Sequence, residues 1–159
     1  MDIGVLAASL EASPLAAWMR GSGWAYPAVN LVHLLGLTLL IGPIALLDLR
    51  LLGLGRRFAL ADVSAVLTPC AIAGLAMLIG SGSLLFSADA VPLHKNPLLL
   101  VKLSCIALAT ANALLFRRVW AERLAEWDRA PPFAGRIQAA LSLALWPVAG
   151  TLGRLLAYN

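Results

Sequence analysis

With 159 residues, of which 61% are hydrophobic and 13% charged, and a mean hydropathy of +0.87, the chain falls outside the range of soluble domains, where about 25% of residues are charged. That length holds four spanning helices with short connections and no separate extramembrane domain, so any chemistry sits in the bilayer or at its edge. The net charge of +4 comes from bases that flank the hydrophobic runs, a pattern of topology signals rather than of a nucleic-acid surface.

In chain order, residues 1–20, MDIGVLAASLEASPLAAWMR, put Ile3, Leu6, Ala7 and Leu10 on one helical face, then Leu15, Trp18 and Met19 after a break at Pro14. This predicts a short amphipathic helix lying in the membrane interface. Its start carries Asp2 where a signal peptide carries Lys or Arg, so the segment reads as retained. The first hydrophobic run covers 25–52. Twenty-seven uncharged positions separate Arg20 from Asp48, and a spanning helix needs about 20. The second run covers 63–87, free of charge between Asp62 and Asp89. After the loop SADAVPLHKN, the third run, 97–117, opens on Pro97 behind Asn96, a first-turn proline with an N-cap. The polar segment RRVWAERLAEWDRAPPFAGR reads as an extension of that helix into water, stopped by Pro131 and Pro132. The fourth run covers 137–157, and Pro147 inside it predicts a kink. Cys70 and Cys105 fall within hydrophobic runs at different depths, which favours inert thiols over a disulfide.

Alternate runs sort the bases. Arg50, Arg56, Arg57, Arg117, Arg118, Arg123, Arg129 and Arg136 share one face, against Arg20, Lys95, Lys102 and Arg154 on the other. The positive-inside rule makes the first face cytoplasmic. A bacterial inner membrane protein with both termini outside is the expected arrangement, an all-α bundle of four transmembrane helices with an N-terminal interfacial helix. Within it, the second run aligns Ala73, Ala76, Gly80, Ser83 and Ser87, a small-residue face suited to a close neighbour helix or a flat cofactor. The third aligns Lys102, Cys105, Ala109 and Asn112, and the fourth Gln138, Ser142, Leu145 and Ala149. Asn112 and Gln138 read first as hydrogen-bonding glue. Asp48 and Arg50 mark the inner interface or pair with Arg117 or Arg118.

His33 is the residue that asks for a function, since an ionisable group at membrane depth marks a site by default. Asn30, His33 and Leu37 share a helical face, with Gly36 beside them. A neutral imidazole in an apolar site ligates iron well, and a glycine nearby lets a macrocycle approach. A b-type haem with two axial histidines needs a second ligand, for which one chain offers only His94, and a homodimer offers a second His33. Lys95, Lys102, Arg154 and Arg20 lie at the outer rim, where haem propionates want cations. The plain alternative is a histidine hydrogen-bonded to a neighbouring Asn or Ser, with Lys102 snorkelling outward and His94 solvated in its loop. No Ser/His/Asp set, P-loop, G-x-G-x-x-G, H-E-x-x-H or C-x-x-C occurs, which speaks against a hydrolase or kinase. Met1, Met19 and Met77 form no methionine ladder for a soft metal.

The segments LEASPLAAWMR, YPAVNLVHLLGLTLLIGPIALLDLRLLG and NPLLLVKL resemble an uncharacterised family of small bacterial four-helix integral membrane proteins. The His-Leu-Leu-Gly helix is more remotely similar to copper-resistance D proteins and b561-type cytochromes. That resemblance implies haem electron transfer or copper handling. The b561-type bundles use several paired intramembrane histidines, and here only His33 is clearly inside, which excludes a two-haem reading. The expected function is therefore a small b-type haem protein or subunit that works with quinone or an external redox partner, as a homo-oligomer or within a larger complex. The alternatives are a cofactor-free scaffold subunit and a copper-handling protein.

Overall fold

The structure is a computed structural model that describes residues 2–156 and 158. Among these residues every regular element is a helix: α1 (Ile3–Glu11), α2 (Pro14–Gly21), α3 (Ala25–Leu52), α4 (Leu60–Ala88), α5 (Ala90–Leu93), α6 (Pro97–Trp120) and α7 (Phe133–Leu156), with a 3-10 turn at Ala121–Arg123. Four of them, α3, α4, α6 and α7, are long and apolar enough to cross a membrane, and the chain is a multi-pass membrane protein. Their outer surfaces carry exposed Leu31, Leu35, Ile72, Ile79, Leu108 and Leu115, the side chains a lipid solvent accepts. α4 begins three residues before the expected 63, and α7 begins at Phe133 rather than 137. α7 runs through Pro147 as one helix, which a membrane helix tolerates because neighbouring groups satisfy the freed carbonyl. Ala157, the expected last residue of the fourth run, lies outside the described residues.

Successive spanning helices run antiparallel. α3 packs most broadly on α4 and α6 on α7, while α3 against α7 joins the two pairs. No comparable contact links α4 to α6, so the helices stand in the order α4, α3, α7, α6 around a shared core.

The α3 and α4 crossing is set by two glycines. A Cβ on Gly74 would lie 2.5 Å from the Leu40 nitrogen and 2.8 Å from the Gly36 oxygen, so the two backbones touch there. This crossing decides which face of α4 turns inward. Ala71, Gly74, Ser81 and Ala88 are buried, as is Ser87 of the expected small-residue face, whereas the other four residues of that face, Ala73, Ala76, Gly80 and Ser83, are exposed and Gly80 has open space around it. At mid-height Leu40, Ala71, Ala109 and Trp146, one from each spanning helix, form a continuous apolar layer.

At the arginine-rich end the expected extension is present: α6 runs past 117 to Trp120 and a 3-10 turn follows at Ala121–Arg123, but the rest of the segment then folds back, driving Trp127 under the bundle to 2% exposure. Its Nε1 donates to the Leu51 carbonyl at 3.1 Å, and its ring packs against Phe116 and Trp120 with centroids 5.7 and 6.1 Å away. Gly135 gives the indole its space, because a Cβ there would strike the ring. The Asn112 Nδ2 donates to the Gln138 carbonyl at 2.9 Å and the Trp120 Nε1 to the Gln138 side chain at 2.7 Å, the cross-bundle glue that the sequence leads one to expect.

Arg50, buried at 4% exposure, is held by Asp128 of this cap and by the Phe58 carbonyl; it donates to Asp128 at 2.9 and 2.5 Å. Its partner is therefore neither Arg117 nor Arg118, both exposed, while Asp48 is buried at 6% exposure. The Arg50 hydrogen bonds, with Arg50 and Arg56 charge behind them, hold the Asp128 carboxyl below the usual aspartate range. A depressed folded value stabilises the fold above the unfolded-chain value, about 3.9, and that contribution is lost as pH falls through the folded value. Acid titration of the protein in detergent should therefore loosen the cap below about pH 4, and Asp128→Asn should remove that step. An identical acid limb in the variant would refute the assignment.

At the other end, where both termini lie, the expected single helix over 1–20 is two. Ser13 caps α2 by accepting from the Ala16 nitrogen, and Pro14 occupies the first turn. Arg20 fastens both to the bundle, donating to the Ala88 and Glu11 carbonyls at 2.8 Å each, while Glu11 accepts from the Val91 nitrogen at 2.7 Å.

Candidate functional site

His33 lies on α3 in the half of the bundle nearer the termini, half-buried. Its Nδ1 is 2.9 Å from Ser81 Oγ on α4, and that hydroxyl is 2.6 Å from the Met77 carbonyl. A serine has one proton to give. The short contact to a carbonyl, which can only accept, takes it, so the His33 Nδ1–H must donate to Ser81. The imidazole is thereby fixed as one tautomer, and its Nε2 keeps a lone pair with no partner among the described residues. Beneath the ring lies Gly82, where a Cβ would come within 3.3 Å of His33 Cε1.

Lys102 of α6 is the second group. It is half-buried and lies over Gly153 of α7, where a Cβ would be 3.0 Å from Nζ. Its stem lies against α7 near the outer end of that helix, and its charge acts on His33. No hydrogen bond or ion pair holds its ammonium among the described residues. One bare imidazole nitrogen and one uncompensated ammonium thus share the same half of the bundle, on α3 and α6.

The other expected site residues are placed differently. Asn30 is exposed, one turn from His33. Gly36 is spent on the helix crossing, with Met77 Cβ and the Gly74 oxygen within 3.1 Å of where its own Cβ would be; it does not stand open to a macrocycle, because α4 fills the notch. Arg154 is exposed and occupied by Tyr158, donating to its hydroxyl at 2.6 Å and stacking on its ring. His94 does not join His33. Its Nδ1 lies 3.3 Å from the Ala90 carbonyl, and it lines a small apolar crevice with Leu6, Leu10 and Phe86 beneath α1, since the short α5 keeps its loop at the surface. No group of three or more His, Cys, Asp or Glu is gathered among the described residues.

The plain alternative of a histidine bonded to a neighbouring Asn or Ser is met by Ser81, although sequence reasoning singled out neither Ser81 nor Gly153. The hydroxyl at Ser81 was readable as one of several on α4, but which of them faces α3 depends on the Gly36 and Gly74 crossing. Comparison with known proteins adds no relative: no family model matches the chain, and no curated protein or solved structure matches it either.

Proposed function

We propose that the chain is a small electron-transfer protein or subunit that binds one b-type haem in the half of the bundle nearer the termini, with His33 as axial ligand. The observation that carries this reading is the orientation of His33. Metal-ligating histidines fix their tautomer by donating the other ring N–H to a neighbouring oxygen, and His33 donates Nδ1–H to Ser81 and leaves Nε2 bare. Lys102 supports it: an ammonium among apolar helices calls for an anion, and a propionate is one. Haem would supply one-electron chemistry; the protein's part is to orient the ligand, neutralise a propionate and exclude water. Within one chain His33 is the only axial histidine, so a bis-histidine site requires a second copy. Quinone or an external redox protein is the proposed partner, and the bacterial inner membrane, with both termini outside, the proposed setting.

The test is the visible spectrum of the protein purified in mild detergent after expression with ample haem. A Soret band that sharpens into α and β bands on reduction is expected, lost in His33→Ala. Ser81→Ala should keep the band but weaken haem binding by about 10–100-fold, the usual cost of removing such an orienting partner. A colourless wild-type protein overturns the reading. Metal accumulation that changes in His33→Ala without any Soret band in the wild type would move the assignment to copper handling, and a colourless wild-type protein whose assembly into a larger complex is unaltered by His33→Ala would move it to a scaffold.

A further inference from the structure

The arginine-rich end carries more charge than its fold consumes. Arg50 is the base that the interior uses, held by Asp128 and the Phe58 carbonyl. The other arginines at that end are all exposed: Arg56 and Arg57 after α3, Arg117 and Arg118 at the end of α6, Arg123 and Arg129 on either side of Trp127 in the cap, and Arg136 in the first turn of α7. None of them makes an ion pair among the described residues. With Asp128 committed to Arg50, the exposed acids there are Asp62, Glu122 and Glu126, so a clear positive excess faces outward.

Three features say what this face meets. The first is its height. Trp127 is bonded to the Leu51 carbonyl and Asp128 to Arg50, both in the last turn of α3, so Arg123 and Arg129 flank residues pinned level with the end of a spanning helix. Headgroups begin where the hydrocarbon that such helices cross comes to an end. The second is the apolar company the arginines keep. Leu54, Phe58 and Phe133 are 65%, 54% and 78% exposed, and the Arg57 guanidinium lies 4.8 Å from the centre of the Phe58 ring. Mixed guanidinium and apolar side chains suit the boundary between acyl chains and headgroups; a nucleic acid or an acidic soluble protein leaves the apolar members unused. The third is the choice of base. Every base at this end is arginine, and both lysines of the chain, Lys95 and Lys102, lie at the other end. A topology signal asks only for positive charge, whereas the guanidinium fork matches two oxygens of one phosphate.

We propose that this rim binds the phosphodiester headgroups of anionic phospholipids, the cap supplying Arg123 and Arg129 to it. The surface is separate from His33 and does not depend on haem there. Lipid phosphates then neutralise the charge that the protein leaves open.

The test reconstitutes the full-length protein in phosphatidylcholine bilayers that contain spin-labelled phosphatidylglycerol or spin-labelled phosphatidylcholine. Electron paramagnetic resonance reads the fraction of each label that the protein immobilises. Phosphatidylglycerol should be preferred several-fold at low salt, and the preference should shrink as sodium chloride is raised. Arg123→Gln combined with Arg129→Gln should remove a large part of it, and Lys95→Gln, at the other end, should leave it unchanged. Equal immobilisation of the two lipids overturns the proposal. A preference untouched by the double variant overturns the part assigned to the cap, and one lost as fully in Lys95→Gln overturns the location. Sodium phosphate that abolishes the preference at an ionic strength where sodium chloride leaves it would overturn the lipid in favour of a free phosphate ion.

Discussion

Gly74→Val should separate α3 from α4. Even the first added carbon meets the Leu40 nitrogen at 2.5 Å and the Leu39 carbonyl carbon at 2.7 Å, and these are backbone atoms with no rotamer to yield. Overpacking an ordinary core costs about 1–3 kcal/mol; here the relief is a shift of a whole helix, and the expected loss lies at or above the top of that range. Because the same crossing brings Ser81 to His33, the variant should also lose whatever binds at His33. Gly80→Ala is the internal control. Open space surrounds Gly80, so alanine should be neutral or slightly stabilising through its better helix propensity. Unfolding by SDS titration in mixed micelles reads both. Equal stability of Gly74→Val and wild type would mean that the helices do not cross at this point.

Trp127→Ala should open the arginine-rich end. The substitution removes a 2% exposed indole, its hydrogen bond to the Leu51 carbonyl and its contacts with Phe116 and Trp120, and it empties the space that Gly135 leaves for the ring. Large-to-small changes of this kind cost about 3–5 kcal/mol. The loss should show as faster trypsin cleavage after Arg123 and Arg129, since Asp128 can no longer hold its place against Arg50. Cleavage at the wild-type rate would show that the Arg50 and Asp128 pair anchors the cap without the indole.

Four spanning helices were legible because each is a long apolar run with charges at or near its ends, Lys102 lying furthest inside, and lipid demands that pattern. Their ends were less so. Asp62 and Arg136 look like stops in the sequence, yet α4 and α7 begin before them, because a charged side chain in a first turn can reach the polar interface while its backbone stays helical. His33 was legible by depth alone. Its partner was not, because α4 carries two small-residue stripes offset by one or two positions, and periodicity cannot choose between them; the glycine crossing chooses. The Arg50 and Asp128 pair joins residues 78 apart, and no local pattern announces it. His94 was a candidate because it is the chain's only other histidine, whereas α1, Glu11 and α5 hold its loop at the surface, away from His33.

The apolar layer of Leu40, Ala71, Ala109 and Trp146 has an electrical meaning. It is the insulating part of the molecule, with His33 and Lys102 on one side and Asp48 on the other, so a transmembrane voltage falls mainly across it. A unit charge carried over the whole drop gains or loses about 2.3 kcal/mol per 100 mV. An electron can tunnel through such a layer while the indole stays in place, but an ion would have to displace Trp146.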